Sequence, residues 1–561
     1  MTMGRKRRCL ESQATLLVLL TILSCDTFKE DFIGGKQVIF KTEYYVLPSS
    51  SLVIDLESAV KQSYTNGSIT ISQNPSRGTL SQLGTLLLKY YPAREFLEGQ
   101  DQFVFSVVSN NEVIATETIK IFMKQDVEEL PCPLYAVEDK VHVRSGSSVS
   151  VKLLKNDRIC GIGESPLQIS IYLNPRFGES KVVGDSIIVY TAGPGYTGRD
   201  ELVYKISDSS GENVSYGIVS ISEWKAQIFP TPITPMRGRI NARPDVDEMF
   251  FINDRTGFLG GYGIYKTTDG GATWKVSYPV SVDNPFEVSD IYFLDADRGY
   301  ACFVRCEGCG YEGGLLRTAD GGDTWEMTDF LEPVASVYFT SSTTGFVNTI
   351  GRGDDSGTPQ SIQKTDDGGK TWKQVFHTTD RKWGWLKIRF VDSKNGYAFS
   401  SYAMFKTVDG GESWNLAYEN VNEFIKAVVV MPENIISANF SESKSDGCGC
   451  DAVLIGPSTM FRSLDGEAWS PAKDLPYIIS AQGYSPGGNI GFAIGVSAIN
   501  PSFDYPSSQT LSLNKSGDKG ATWTEVEVTE RLAGHPLAMD VPSDTVAYIL
   551  SHREIIKFTR P

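Results

Sequence analysis

Apolar and polar positions alternate with a period of two through much of the chain, as at Phe103/Phe105 and Leu202/Tyr204. Short runs of this kind, closed by Gly, Pro, Asn and Ser, predict half-buried β-strands. One longer, largely apolar run stands apart. Ala14 to Leu23 follows the cationic Arg5-Lys6-Arg7-Arg8 and ends in Ile22-Leu23-Ser24-Cys25. At ten residues it is too short to span about 30 Å of hydrocarbon as a helix, and it has the layout of an export signal.

The alternation is organised into repeats at two scales. Pro75-Ser76-Arg77-Gly78-Thr79 returns 100 residues later as Pro175-Arg176-Phe177-Gly178-Glu179. The segment from Phe96 to Phe105 returns as Tyr196 to Tyr204. Residues 37–124 and 135–224 therefore read as two copies of one β-sandwich, with 25–36 as a tether before them. Asp101, Asp157 and Asp200 are expected to cap turns rather than bind calcium.

From residue 225 a shorter unit takes over. Lys266-Thr267-Thr268-Asp269-Gly270-Gly271-Ala272-Thr273-Trp274 recurs at Asp320/Trp325, Asp367/Trp372, Asp409/Trp414, Asp465/Trp469 (one residue shorter) and Asp518/Trp523. The tryptophans are 51, 47, 42, 55 and 54 residues apart, the period of one four-stranded propeller blade. Each tryptophan is expected to bury its ring between blades. A strand ending in an aromatic residue, then a Gly-aromatic pair, precedes each turn, as in Tyr292-Phe293 and Gly299-Tyr300. Seven such strands but six turns predict a closed seven-bladed ring, 225–561, whose last blade borrows its outer strand from near Trp224. The expected fold is all-β: two tandem Ig-like sandwiches followed by a seven-bladed propeller.

Charge and composition narrow the function. The chain carries 68 acidic and 52 basic residues, a net charge of −16. A phosphate backbone would repel it, so no nucleic-acid partner is expected. Four histidines do not suggest a histidine-built metal or acid–base centre, and no cofactor is expected.

Three resemblances follow. Ile22-Leu23-Ser24-Cys25 resembles a bacterial lipobox, which implies cleavage of residues 1–24, lipidation of Cys25 and a place in the cell envelope, at the outer membrane. The membrane would be reached through that lipid anchor alone. The tandem modules resemble bacterial Ig-like, cadherin-like repeats, which serve mainly as spacers. The Asp-Gly turns resemble the Asp box, and their combination with Gly-aromatic strands resembles the photosystem II stability/assembly-factor-like propellers. That last likeness implies a protein-binding scaffold rather than an enzyme. The sialidase arginine triad and Arg-Ile-Pro element are not found, since Arg237-Gly238-Arg239-Ile240 lacks the proline. A glycan-binding or sialidase-like protein, and a surface adhesin, remain the alternative classes.

The working face is expected opposite the Asp-Gly turns, where loops join second to third strands. Cys306 and Cys309 lie on one such loop, Cys448 and Cys450 on another. Disulfides are favoured in an oxidising compartment; a tetrahedral zinc site and unpaired thiols are the other readings. Tyr311, Trp383, Trp385 and Tyr505 are candidate binding residues on that face. Cys132 and Cys160 would staple the second sandwich, leaving Cys302 as a buried thiol.

Overall fold

The computed structural model describes residues 29–560, except 34–35, 41, 49, 57–67, 85, 94–95, 110–111, 162–165, 197, 233–245, 281–285, 308–309, 352–358, 380–384, 420–422, 446–451, 497–510, 527–535 and 552–553. Its regular elements are almost all strands. Lys29–Ile33, in the stretch read as a tether, pairs antiparallel with Lys36–Phe40, at the start of the span read as the first sandwich. Gly34-Gly35 between two apolar-containing runs is the pattern of a two-residue hairpin.

The two sandwiches share one topology. In the first, Glu43–Val46, Glu112–Met123, Gln100–Ser109 and Ser68–Gln73 form one sheet, and Leu52–Asp55, Leu87–Pro92 and Gly78–Gln82 the other. In the second, Asp139–His142, Val214–Ser222, Arg199–Ser207 and Gln168–Leu173 face Ser148–Lys152, Ile187–Ala192 and Gly178–Val183. The shared Pro-x-x-Gly sequence has one physical cause. The ring of Tyr190 lies against Gly178, where an added Cβ would stand 2.4 Å from it. The Tyr190 hydroxyl then donates to buried Asp200, whose carboxylate also accepts the Arg176 and Phe177 amides. Tyr90, Gly78 and Asp101 repeat the arrangement. Both aspartates thus hold a turn of the opposite sheet. Cys132 and Cys160 form a disulfide in the second sandwich.

Seven four-stranded antiparallel sheets follow. The first six are consecutive meanders over 246–278, 286–330, 334–378, 387–419, 423–475 and 478–526. The seventh joins Pro536–Ser543, Val546–Ser551 and Glu554–Thr559 to Lys225–Pro230, paired in register from Lys225↔Thr559 to Pro230↔Glu554. This borrowed strand gives the seventh blade its fourth strand and closes the ring.

Aromatic rings seal the early seams. Phe258 of blade one stacks on Phe293 of blade two at 4.2 Å, and Trp325 meets both edge-on at 6.4 and 6.0 Å. Tyr300, Phe339 and Trp372 repeat the seal one blade on, and Phe346, Phe390 and Trp414 the next. The glycine of each Gly-aromatic pair is needed for close approach, because a Cβ on Gly299 would lie 2.4 Å from the Phe293 ring.

Two turn tryptophans lie between their blades with other neighbours. Trp469, half-buried like Trp274, Trp325 and Trp372, is the first residue of the strand Trp469–Leu475, paired with Ser463. Its ring meets Phe440 of its own blade at 5.4 Å and Tyr418 of blade four's outer strand at 5.9 Å, not a stacked pair of rings. The cause is twofold: the fifth turn is one residue shorter, and Met431 occupies the place of the phenylalanine that would receive the indole edge. Trp523 is buried and stands edge-on to Tyr484 at 5.8 Å. Its second ring is missing, because the residue of blade five at the Phe258 position is Ile436. The indole N–H groups also differ. Trp274 donates to the Gly271 carbonyl at 3.0 Å and Trp325 to the Ser277 hydroxyl at 2.9 Å, whereas those of Trp469 and Trp523, like those of Trp372 and Trp414, have no acceptor among the described residues.

Tight burial of the three-ring kind is sensitive to truncation. Trp414→Ala should cost about 3–5 kcal/mol, read as a lower denaturant midpoint with an unchanged m-value. Trp469→Ala, at a half-buried site, should cost less in the same measurement.

The two halves of the chain should respond oppositely to pH. In the second sandwich, burial pushes Asp139 up to about 8 and Asp157 up to about 7, from 3.8. Their contribution is greatest below pH about 4 and is lost as pH rises through the folded values. In the turns, hydrogen bonds from Thr324 hold Asp320 down at about 2. That contribution is present above pH about 4 and is lost as pH falls toward 2. Residue-resolved hydrogen exchange should show strands 139–222 better protected at pH 5 than at pH 8, and Asp139→Asn should flatten the difference.

Candidate functional site

The Asp-Gly turns are built by one set of bonds. In the first, Thr267 Oγ1 donates to Asp269 Oδ1 at 2.8 Å and accepts the Gly271 amide. Asp269 Oδ1 accepts the Thr273 amide, and Oδ2 the Thr273 hydroxyl at 2.5 Å. The same bonds recur around Asp320, Asp367, Asp409 and Asp518. Gly321 and Gly322 take φ of 68° and 82°, the left-handed region that needs glycine. These carboxylates each tie their own turn together through its amides and hydroxyls.

A seventh turn is assembled from two distant pieces. Trp224 immediately precedes the outer strand Lys225–Pro230, as Trp274 precedes Lys275–Tyr278. It packs edge-on to Phe492 at 4.9 Å, the orientation of the other turn tryptophans. Glu223 takes Lys515 at 2.6 Å and also pairs with Arg560 near the C-terminus. Elsewhere a lysine opening one turn reaches an acid in the next, as in Lys266–Asp323, Lys364–Glu412 and Lys406–Glu467. Glu223 supplies that acid for blade six. The second sandwich, whose last strand ends at Ser222, therefore joins the propeller at the end that carries the Asp-Gly turns.

The first strand of every blade lines the central channel, and four of them bring charge into it. Lys387 of blade four reaches Glu248 of blade one at 2.8 Å, bridging the lumen. Arg389, two residues on, meets Asp290 of blade two at 3.3 Å. Asp290 also accepts the Ser336 hydroxyl and the Val337 amide of blade three. Asp540 of blade seven accepts the Phe251 and Val541 amides. Burial alone would raise Asp290, but Arg389 and Lys387 hold it below the usual carboxylate range. Burial wins at Glu248, which is raised despite Lys387, and it pushes Asp540 up to about 6. Lys387 loses by burial and gains more from Glu248 and Asp290, so it stays charged. Its side chain keeps 43% exposure, to a lumen walled by protein.

Sequence reasoning missed this cluster, although a signal existed. Glu248, Asp290, Ser336 and Lys387 each stand three residues before the phenylalanine that ends a first strand. Aligning the repeats on Phe251, Phe293, Phe339 and Phe390 would have stacked them in one ring.

The predicted loop-face residues are only partly placed. Cys306 and Tyr311 are paired in the backbone register near the tip of the Gly299–Glu307/Gly310–Thr318 hairpin, at the end of blade two away from its Asp-Gly turn. Trp385 sits just before Lys387–Phe390 at the same end of the ring and is 56% exposed. Cys302 is a fully buried free thiol beside Ser289. Cys25, Cys309, Cys448, Cys450, Trp383 and Tyr505 lie outside the described residues. Among the described residues no group of three or more His, Cys, Asp and Glu could hold a metal ion.

Geometry thus defines a protein with Ig-like sandwiches and a seven-bladed propeller. The Bacterial Ig domain family matches residues 131–221, the second sandwich. No curated protein matches the chain. Among solved structures the chain is similar to YCF48 bound to D1 peptide, at 16% identity and a TM-score of 0.42 over 61% of this chain and 98% of that one. It is similar to YCF48 from Cyanidioschyzon merolae at 16% identity and a TM-score of 0.39, over 60% and 99% of the two chains. It is also similar to an ancestral GH74 enzyme at 14% identity and a TM-score of 0.41, over 58% and 45%. These are likenesses of fold.

The channel cluster gives a quantitative expectation. Asp290→Ala leaves Arg389 without its carboxylate and should cost about 2–3 kcal/mol, less than for a dry pair because Arg389 keeps 29% exposure. The double replacement Glu248→Met with Lys387→Met removes both charges together and should be close to neutral in chemical denaturation.

Proposed function

We propose that this protein is a lipid-anchored component of the bacterial cell envelope whose propeller binds another protein on the face away from the second sandwich. The turns at the other end read as Asp boxes with a scaffold role. The supporting observation is the split seventh turn, which joins the sandwich to one end of the ring and leaves the opposite end for a partner.

That opposite end is where the blades are longest. The second and third strands of blade two have 9 residues each, and those of blade five 11 and 12. The same strands of blade four have 4 and 5. Blade closure is complete with the shorter pair, so the added length serves something other than the ring. Extensions kept on one face of a repeat protein are where binding surfaces are commonly built. Trp385 lies exposed at this end, and an exposed tryptophan is interface material.

A non-catalytic reading fits the channel. Glycosidic cleavage needs two carboxylates free to act as acid and as nucleophile or base. Glu248 is held by Lys387, Asp290 by Arg389, and Asp540 by two backbone amides.

Two measurements test the proposal. Cys25→Ala should move the protein from the membrane fraction to the soluble fraction or stop its maturation, with loss of acyl labelling; unchanged partition and labelling would refute the anchor. Site-specific cross-linking from position 385 should capture a discrete envelope protein. Shortening the blade-two hairpin to the length of blade four should abolish the cross-link while leaving thermal unfolding unchanged.

A further inference from the structure

The seam between blades five and six departs from its neighbours at three positions. In five turns a Ser or Thr hydroxyl donates to the second carboxylate oxygen of the aspartate, as Ser413 does to Asp409 Oδ2 at 2.6 Å. In the fifth turn Ala468 stands there. Asp465 is engaged through Oδ1 alone, by Ser463, Glu467 and the Ala468 amide, and Oδ2 has no donor among the described residues.

The basic residue of the same turn has lost its partners too. Lys266, Lys364 and Lys406 each reach a carboxylate in the next turn. For Arg462 the corresponding position, that of Asp323 and Glu412, is Ala521. Arg317 also lacks such an acid, but it pairs with Glu326 on its own blade at 2.6 Å. The residue of blade five at the Glu326 position is Ser470. Arg462 therefore spends only Nε, on the Lys519 carbonyl at 3.0 Å, and its terminal N–H groups have no acceptor among the described residues.

Both freed groups line one cleft of about 350 Å³, with Leu464, Pro471 and Ala521 as apolar walls. That volume is in the range of small-molecule sites. We infer that this cleft binds a hydroxylated carboxylate, a uronic acid residue of an acidic glycan. A sugar hydroxyl replaces the absent Ser/Thr hydroxyl at Asp465 Oδ2. The uronate carboxylate replaces the absent acid at Arg462, where a planar fork matches it. The C–H face of the ring lies on the apolar wall. The site is on the Asp-Gly-turn side of the ring, so it is separate from the proposed protein-binding face.

The test is titration of the full-length protein in detergent with sodium galacturonate, sodium glucuronate and their trimers, followed by calorimetry and ligand-observed NMR. Saturable binding of at least one uronate is expected, with the uncharged methyl galactoside weaker by about tenfold or more. Ala468→Thr and Ala521→Glu each restore the residue found in sister repeats, so both should fold with an unchanged or higher Tm. Each should weaken uronate binding by about tenfold or more. The inference is overturned by the absence of saturable uronate binding, by equal binding of methyl galactoside, or by full binding in both variants. Preference for a Ser/Asp-containing peptide over the uronates overturns it as well.

Discussion

The propeller depends on a three-ring contact at the seams between blades. A second-strand aromatic lies face to face with the phenylalanine ending the next first strand, and the turn tryptophan closes the edge. Face-to-face separations of 3.6 Å at Tyr300/Phe339 and at Tyr548/Phe251 leave no room for a side chain where the strands turn, so glycine must stand there. The Gly-Gly pair in the turn and the hydroxyl–carboxylate bonds around each aspartate bring the tryptophan to its edge-on position. Where the repeat decays the rings thin out, first at Met431 between blades four and five and then at Ile436 between blades five and six.

Charge does a different job from the rings. At the rim, lysines and carboxylates tie consecutive turns, with partners as exposed as 72% at Asp323 and therefore of small energetic weight. In the channel, Asp290 is 1% exposed and its pairing with Arg389 joins blades two and four directly. Desolvation offsets much of the attraction in a pair this buried, so its net contribution to stability is small compared with the cost of removing one partner.

How much could be read from the sequence follows from what repeats. The sandwich pair, the blade period, the turns and the borrowed strand near Trp224 were legible because each rests on a motif present several times. The split turn was legible only in part. Trp224 could be placed beside the closing strand, but Glu223 acquires its meaning from Lys515 and Arg560, which lie 292 and 337 positions away. The motif says where each tryptophan stands, not what its ring meets. Trp469 and Trp523 sit in recognisable turns, yet a ring seals a seam only with the partners its neighbours supply, and those partners lie tens of residues upstream. The channel charges were not seen because each looks like an ordinary polar alternate within its own strand. The seam between blades five and six was visible as a shortened turn, yet Ala468, Ala521 and Ser470 matter as absences. An absence is informative only against the bonds the other turns make.

The borrowed strand has a mechanical consequence. Lys225–Pro230 is both the outer strand of blade seven and the segment by which the second sandwich is attached. Tension arriving through that sandwich is delivered first to the Lys225/Thr559 rung and, through Glu223 and Trp224, to the adjoining edge of blade six. The propeller therefore has a defined point of yield: under load it opens at the place where it closes, while the other six meanders, each continuous in the chain, keep their ladders.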